Sequence, residues 1–195
     1  MPAIMPAALA IARSPLRALL GLLLALCLAF PASADDAASA EALDRLFAQL
    51  HDAPDAATAD ALSNQIWALW TTPTDPDLAG RMRDVMEARA FRDIETTIRL
   101  LDDLIRDYPL YAEGWNQRAA MYYMIGDFEA SIADCAKVLE LEPRHYGALS
   151  GRALMYLQMG KRALALKDMK AALALHPFLR EKQLFPELQQ EVTRT

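Results

Sequence analysis

The sequence predicts an all-α fold assembled from repeated helix pairs, and three observations carry that reading. After Ala34 no stretch alternates apolar and polar residues as a strand would, while Leu, Ala, Met and charged residues recur three and four apart. Glycine is sparse, 7 in 195 residues, which leaves few of the turns a many-stranded fold needs. Three prolines, Pro109, Pro143 and Pro177, stand 34 residues apart, each closing a Leu-rich run: "LDDLIRDYP", "AKVLELEP" and "AALALHP".

Residues 1–34 form the first segment. Arg13 and Arg17 precede the 13-residue apolar run Ala18–Phe30, and Ala32-Ser33-Ala34 has the small-residue pattern of a cleavage site. This reads as a signal peptide cleaved after Ala34, and hence as export to the periplasm. The alternative is an uncleaved inner-membrane anchor, for which 13 residues fall short of the roughly 20 a span needs. Cys27 does not mark a lipoprotein, because Leu26 precedes it where a small residue is required. Cleavage takes Lys+Arg from 20 to 18 against 26 Asp+Glu, a net charge of −8. No basic stripe exists for a phosphate backbone, so nucleic acid is excluded as a partner class. The acidic balance also disfavours anionic lipid, so no membrane contact is expected once the leader is gone. Cys135 is then the lone thiol, without a disulfide partner.

Residues 35–77 read as a helical pair. "SAEALDRLFAQLHD" places Leu43, Leu46, Phe47 and Leu50 on one face, with Ser39 as its N-cap. "TADALSNQIWALW" does the same with Leu62, Ile66, Leu69 and Trp70, and "APD" turns between them. Asp75-Pro76 opens the next helix, a cap residue followed by proline at the first helical position.

Aligning on the prolines divides residues 78–179 into units 78–111, 112–145 and 146–179. Gly126 and Gly160 fall in register, as do Tyr122 and Tyr156, Ala119 and Ala153, Arg118 and Arg152, and Asp134 and Asp168. In the first unit Arg81 takes the tryptophan position and Arg92 the turn glycine, so that unit has diverged. Trp115 and Tyr122 lie two turns apart on one helix face and are expected to fill the gaps between helices and units. Ala119 stands between them where a partner backbone comes close, Gly126 ends the first helix, and Asp127 caps the second. Arg118 and Arg152 each have an aspartate 16 residues on, Asp134 and Asp168, which suggests an ion pair repeated between the two helices of a unit. Residues 180–195 are expected to form a C-terminal capping helix or tail, shortened or broken at Pro186.

A 34-residue period with two helices per unit resembles the tetratricopeptide repeat, and Trp115, Ala119, Tyr122 and Pro143 match its pattern. The resemblance implies a right-handed solenoid of antiparallel helix pairs, with a degenerate repeat or cap at residues 35–77. "LFAQL…APD…IWALW" and "AEGWNQRA…LEPRHYGALSG" are further similar to small exported tetratricopeptide proteins of Gram-negative bacteria.

The residues assemble no catalytic chemistry. His51, His145 and His176 are scattered, and neither H-x-x-x-H nor C-x-x-C occurs, so no metal site is expected. "GALSG" is not a nucleophile elbow, since Ser150 stands one place too late. No glycine-rich phosphate loop is present, and no cofactor is implied. The chain is therefore expected to be a non-enzyme. The resemblance places ligand contacts on the concave groove. That groove would take Met82, Arg83, Met86, Arg89 and Ala90 from the first unit, and Glu113, Asn116, Gln117, Ala120, Tyr123 and Met124 from the second. The third would give Ser150, Gly151, Leu154, Leu157 and Gln158. The family's Lys and Asn carboxylate clamp is not reproduced. The expectation is a periplasmic adaptor that binds another protein or a peptide in this groove. The alternative is an accessory subunit of a cell-envelope complex, docked by its convex or terminal surfaces. Oligomeric state stays open.

Overall fold

The computed structural model describes residues 34–191, so the leader reading lies outside the described residues but for Ala34. Among the described residues the secondary structure is helical throughout, without a strand. Helix α1 spans Ala34–His51 and α2 Ala56–Thr71. Three pairs follow: α3 (Pro76–Ala90) with α4 (Ile94–Asp107), α5 (Ala112–Ile125) with α6 (Phe128–Leu141), and α7 (Tyr146–Gln158) with α8 (Arg162–Leu175). A 3-10 turn at Arg180–Leu184 leads to the short α9, Pro186–Glu191, so the chain breaks at Pro186.

Local chemistry explains the boundaries. The carboxylates of Asp55, Asp75, Asp93 and Asp127 accept backbone N–H groups at the starts of α2, α3, α4 and α6, at 2.8–3.1 Å. Ser39 is not a cap. The Ala-rich run before it keeps helix propensity high, and α1 starts at Ala34. The turns within the three pairs all pass through the left-handed region, at Gly126 (φ 81°), Gly160 (φ 71°) and Arg92 (φ 58°). Arg92 thus has the backbone of the glycines it aligns with, and the diverged first unit keeps the register of the others.

The pairs stack in sequence, each helix packing on the next from α3 to α8. Leu78, Met82, Val85, Leu101, Leu104 and Ile105 form the first interior, reaching Met121 of α5. Ala119, Cys135, Val138, Ala148 and Met155 form the second. Trp115 touches both, and its indole N–H donates to the Pro109 carbonyl at 3.0 Å. Close approach is visible at two small residues. The Ser131 hydroxyl donates to the Ala119 carbonyl at 2.6 Å, and a Cβ on Gly114 would sit 2.7 Å from Leu104 Cδ2. Ala153, Ala165 and Met169 are closed off by Phe185, which is fully buried.

The 16-residue interval brings charge to charge. Arg118 forks Asp134 through Nε and Nη2, both at 2.8 Å, and reaches Asp102 of the preceding unit through Nη1. Its guanidinium also lies over the Trp115 ring at 5.0 Å. Arg152 forks Asp168 at 2.6 and 3.0 Å. Both aspartates are buried, so these pairs join the helices of a unit in a partly dry setting.

The α1–α2 hairpin takes a place that the repeat period does not encode. Its apolar face, including Phe47, Leu50, Ala59, Leu62 and Ile66, buries against Tyr146 and Leu149 of α7, Ala172 of α8, and Leu179. The hairpin therefore shares its core with the last unit, although it precedes the first in sequence. Burying each large side chain contributes about 1.5–3 kcal/mol, which makes this seam part of the core.

Candidate functional site

The first helices of the second and third units, α5 and α7, leave a cleft between them. It is about 150 Å³ in volume, lined by Asn116, Ala120, Tyr123, Gly151 and Leu154, with Cys135 and Met155 among the residues of its wall. The Tyr123 ring is stacked against Phe128 at 5.7 Å, and its hydroxyl accepts from Gln158 Nε2 at 2.8 Å, a bridge between α5 and α7 at the rim. Burial pushes the Cys135 thiol up to about 12, so it stands as a neutral apolar group.

The other residues expected along the groove are placed differently. Met82 is fully buried and belongs to the first unit's interior. Arg83 is exposed on α3, while Met86 and Arg89 are half-buried. Met124 is exposed, and Leu157 is half-buried on α7. Glu113, Gln117 and Ser150 are buried, at 2%, 2% and 6% exposure, and present no open surface.

Their burial has a physical cause that the sequence did not announce. His145 caps α7: its Nδ1 accepts the Ala148 N–H at 3.1 Å, which leaves the ring proton on Nε2. Nε2 donates to Glu113 Oε2 at 3.1 Å. Glu113 also accepts from Asn116 Nδ2, at 3.2 Å, and from Gln117 Nε2, while Arg89 Nη1 donates to the side-chain oxygen Oε1 of Gln117. Trp70 of α2 stacks on the His145 ring, centroids 4.1 Å apart and planes 7° off parallel, and its carbonyl accepts the Tyr111 hydroxyl. Burial also raises the Tyr111 hydroxyl well above the ordinary tyrosine range, so it stays a donor. One network thus ties α3, α5, α7 and the hairpin together, and the acid it contains is fully spoken for by donors.

A second, larger cleft of about 590 Å³ opens between the hairpin and the first unit, where Leu43, Leu69, Leu78, Pro109 and Leu110 form an apolar lining. Leu110 is 80% exposed there. Among the described residues no group of three His, Cys, Asp or Glu side chains could hold a metal ion.

The family model for the tetratricopeptide repeat matches residues 112–145, the second unit. A TPR repeat-containing protein of Rhizobium etli is 33% identical over 141 residues, 72% of this chain and 69% of the relative. The chain belongs to the tetratricopeptide-repeat proteins. Solved structures agree on the fold. The first TPR of Spaghetti (RPAP3), bound to the HSP90 peptide SRMEEVD, superposes with a TM-score of 0.54 at 18% identity, covering 60% of this chain and 93% of that one. The TPR2B domain of yeast Sti1, in a complex with an Hsp70 peptide, gives 0.50 at 23% identity, over 58% and 90%. The CopN–Scc3 complex gives 0.51 at 16% identity, over 63% and 71%. In this tetratricopeptide-repeat protein the α5–α7 cleft lies on the first helices of two successive units.

Proposed function

We propose that this chain is a non-catalytic adaptor that binds another protein through an extended peptide segment in the groove formed by α5 and α7, after export to the periplasm. The cleft between Asn116, Tyr123 and Leu154 carries this reading. Small-molecule sites run to about 300–1,000 Å³, and 150 Å³ is closer to the volume of one side chain. Asn116, with amide donors and acceptor, and the Tyr123–Gln158 bridge then supply polar contacts to a peptide backbone on either side of the seated side chain. The peptide complexes of the RPAP3 and Sti1 neighbours support a tetratricopeptide groove as a peptide site in general. Export rests on the leader sequence of residues 1–34 alone.

Affinity capture from a periplasmic extract tests the reading. The groove predicts a partner retained by the wild type and lost by an Asn116→Ala/Tyr123→Ala variant of unchanged circular dichroism. The same partner on both proteins would move the interface off the groove.

The large apolar cleft beside exposed Leu110 supports a second reading, an accessory subunit of an envelope complex docked by its terminal surface. In that case Leu110→Asp removes the partner and the cleft variant does not.

A further inference from the structure

All three histidines of the chain lie in the seam between the α1–α2 hairpin and the repeat array. His51 of α1 reaches the Ala174 carbonyl at 3.0 Å. His145 is stacked on Trp70 of α2. His176 stands edge-on to Tyr146 at 5.2 Å, and Tyr146 packs in turn on Phe47 and Trp70 of the hairpin.

His145 and His176 share one feature. Both are buried, at 2% and 4% exposure, and both use Nδ1 as an acceptor. His145 takes the Ala148 N–H at 3.1 Å and His176 the Phe178 N–H at 3.3 Å. An accepting ring nitrogen carries no proton. At His176, protonation at Nδ1 turns N–H against N–H, so the hydrogen bond to Phe178 is lost and a charge is placed against the Tyr146 ring in a buried seam. His51 behaves differently. It is exposed and donates to a carbonyl at the end of α8, a bond that the protonated ring also makes and that the helix terminus favours.

The groups facing these rings set the balance. Beside His145 stand the Glu113 carboxylate of α5, the paired Arg144 and Glu142 of its own turn, and uncharged Trp70. The Glu113 carboxylate at 3.1 Å already partners that ring, so the acid response is assigned to His176. Around His176 are Asp60 of α2, Glu181 and Lys182 of the 3-10 turn, and Tyr146. Burial outweighs the attraction of Asp60 and Glu181 and holds His176 below the ordinary histidine value. A base with a depressed folded value stabilises fully above the unfolded value of about 6.5, and that stability is lost as pH falls below it.

We propose that the α1–α2 hairpin is an acid-released latch, closed on the array at neutral pH and loosened when His176, buried beside Tyr146 at the seam, takes up a proton at Nδ1. Its opening uncovers the faces that now bury one another, Phe47, Leu50 and Ile66 against Tyr146, Leu149 and Leu179. The latch stands independently of what the α5–α7 groove binds.

Amide hydrogen exchange of the full chain, read by mass spectrometry at pH 7.5 and 5.5 and corrected for intrinsic rates, tests it. Peptides of α1 and α2 should lose about three- to tenfold in protection at pH 5.5 while α4 and α6 keep theirs. Asn at position 176 retains an acceptor for the backbone N–H and does not titrate. The His176→Asn variant should therefore keep its pH 7.5 hairpin protection at pH 5.5. Should that variant lose the hairpin already at pH 7.5, the NMR titration of the wild-type His176 ring must track the loss of hairpin protection. Unchanged protection of the wild-type hairpin at pH 5.5 would overturn the latch. So would equal losses in hairpin and array, or a pH effect untouched by the His176 substitution.

Discussion

Arg92 occupies a left-handed conformation, φ 58°, that its aligned partners Gly126 and Gly160 occupy without a Cβ. Left-handed backbone costs a non-glycine residue about 1–2 kcal/mol, and glycine returns part of that through its greater unfolded entropy. Arg92→Gly should therefore stabilise the chain by about 0.5–1 kcal/mol in urea unfolding, where a destabilisation would contradict the register. The Arg118–Asp134 fork makes a sharper case. Asp134 is 4% exposed, so deleting Arg118 strands a buried carboxylate, a loss of about 3 kcal/mol. A double-mutant cycle with Arg118→Met and Asp134→Asn should show coupling of more than about 1.5 kcal/mol. Coupling near zero would make the pair ornamental. Cys135 is expected to stay unmodified by iodoacetamide at pH 8 in the native chain and to label only on unfolding, read at its own tryptic peptide. Labelling in the native state would show that the wall of the α5–α7 cleft opens.

At the level of elements, legibility followed the period. Proline spacing, the aligned Gly126 and Gly160, and the aspartate caps are local signals that recur, and they located α3 to α8. The seat of the hairpin had no such signal. Trp70, Phe47 and Ile66 announce an amphipathic pair, but an apolar stripe does not name the surface it will meet. Only the folded chain brings Trp70 to His145, 75 positions on. The same gap misplaced part of the groove lining, while Asn116, Ala120, Tyr123, Gly151 and Leu154 do line the α5–α7 cleft. Family positions transferred by number put Glu113, Gln117 and Ser150 on open surface. The seam instead gives the Glu113–His145 contact a dry setting that no pairwise spacing reveals. Gly114 was a usable clue, since glycine inside a helix often marks a close neighbour. The hairpin's weight in the fold can be measured. Ile66→Ala, at a fully buried site, should cost about 3 kcal/mol, while Trp67→Ala on the outer face stays within about 0.5 kcal/mol. Equal effects in urea unfolding would mean the hairpin is not docked as described.

Residues 34–191 form a tetratricopeptide array of three helix pairs, strapped by the α1–α2 hairpin and closed at its C-terminal end by Phe185. Two surfaces among the described residues carry the proposed partner readings: the α5–α7 cleft, sized for one side chain, and the apolar cleft at Leu110. They correspond to the two proposed readings, a peptide adaptor and a docked subunit, and they share no lining residue, so one reagent can separate them. The decisive measurement is photo-crosslinking in intact cells with benzoylphenylalanine placed in turn at Tyr123 and at Leu110. A specific adduct from the Tyr123 position, absent from the Leu110 position, is the result the groove predicts. An adduct formed from Leu110 alone would contradict it and assign the partner to the terminal surface.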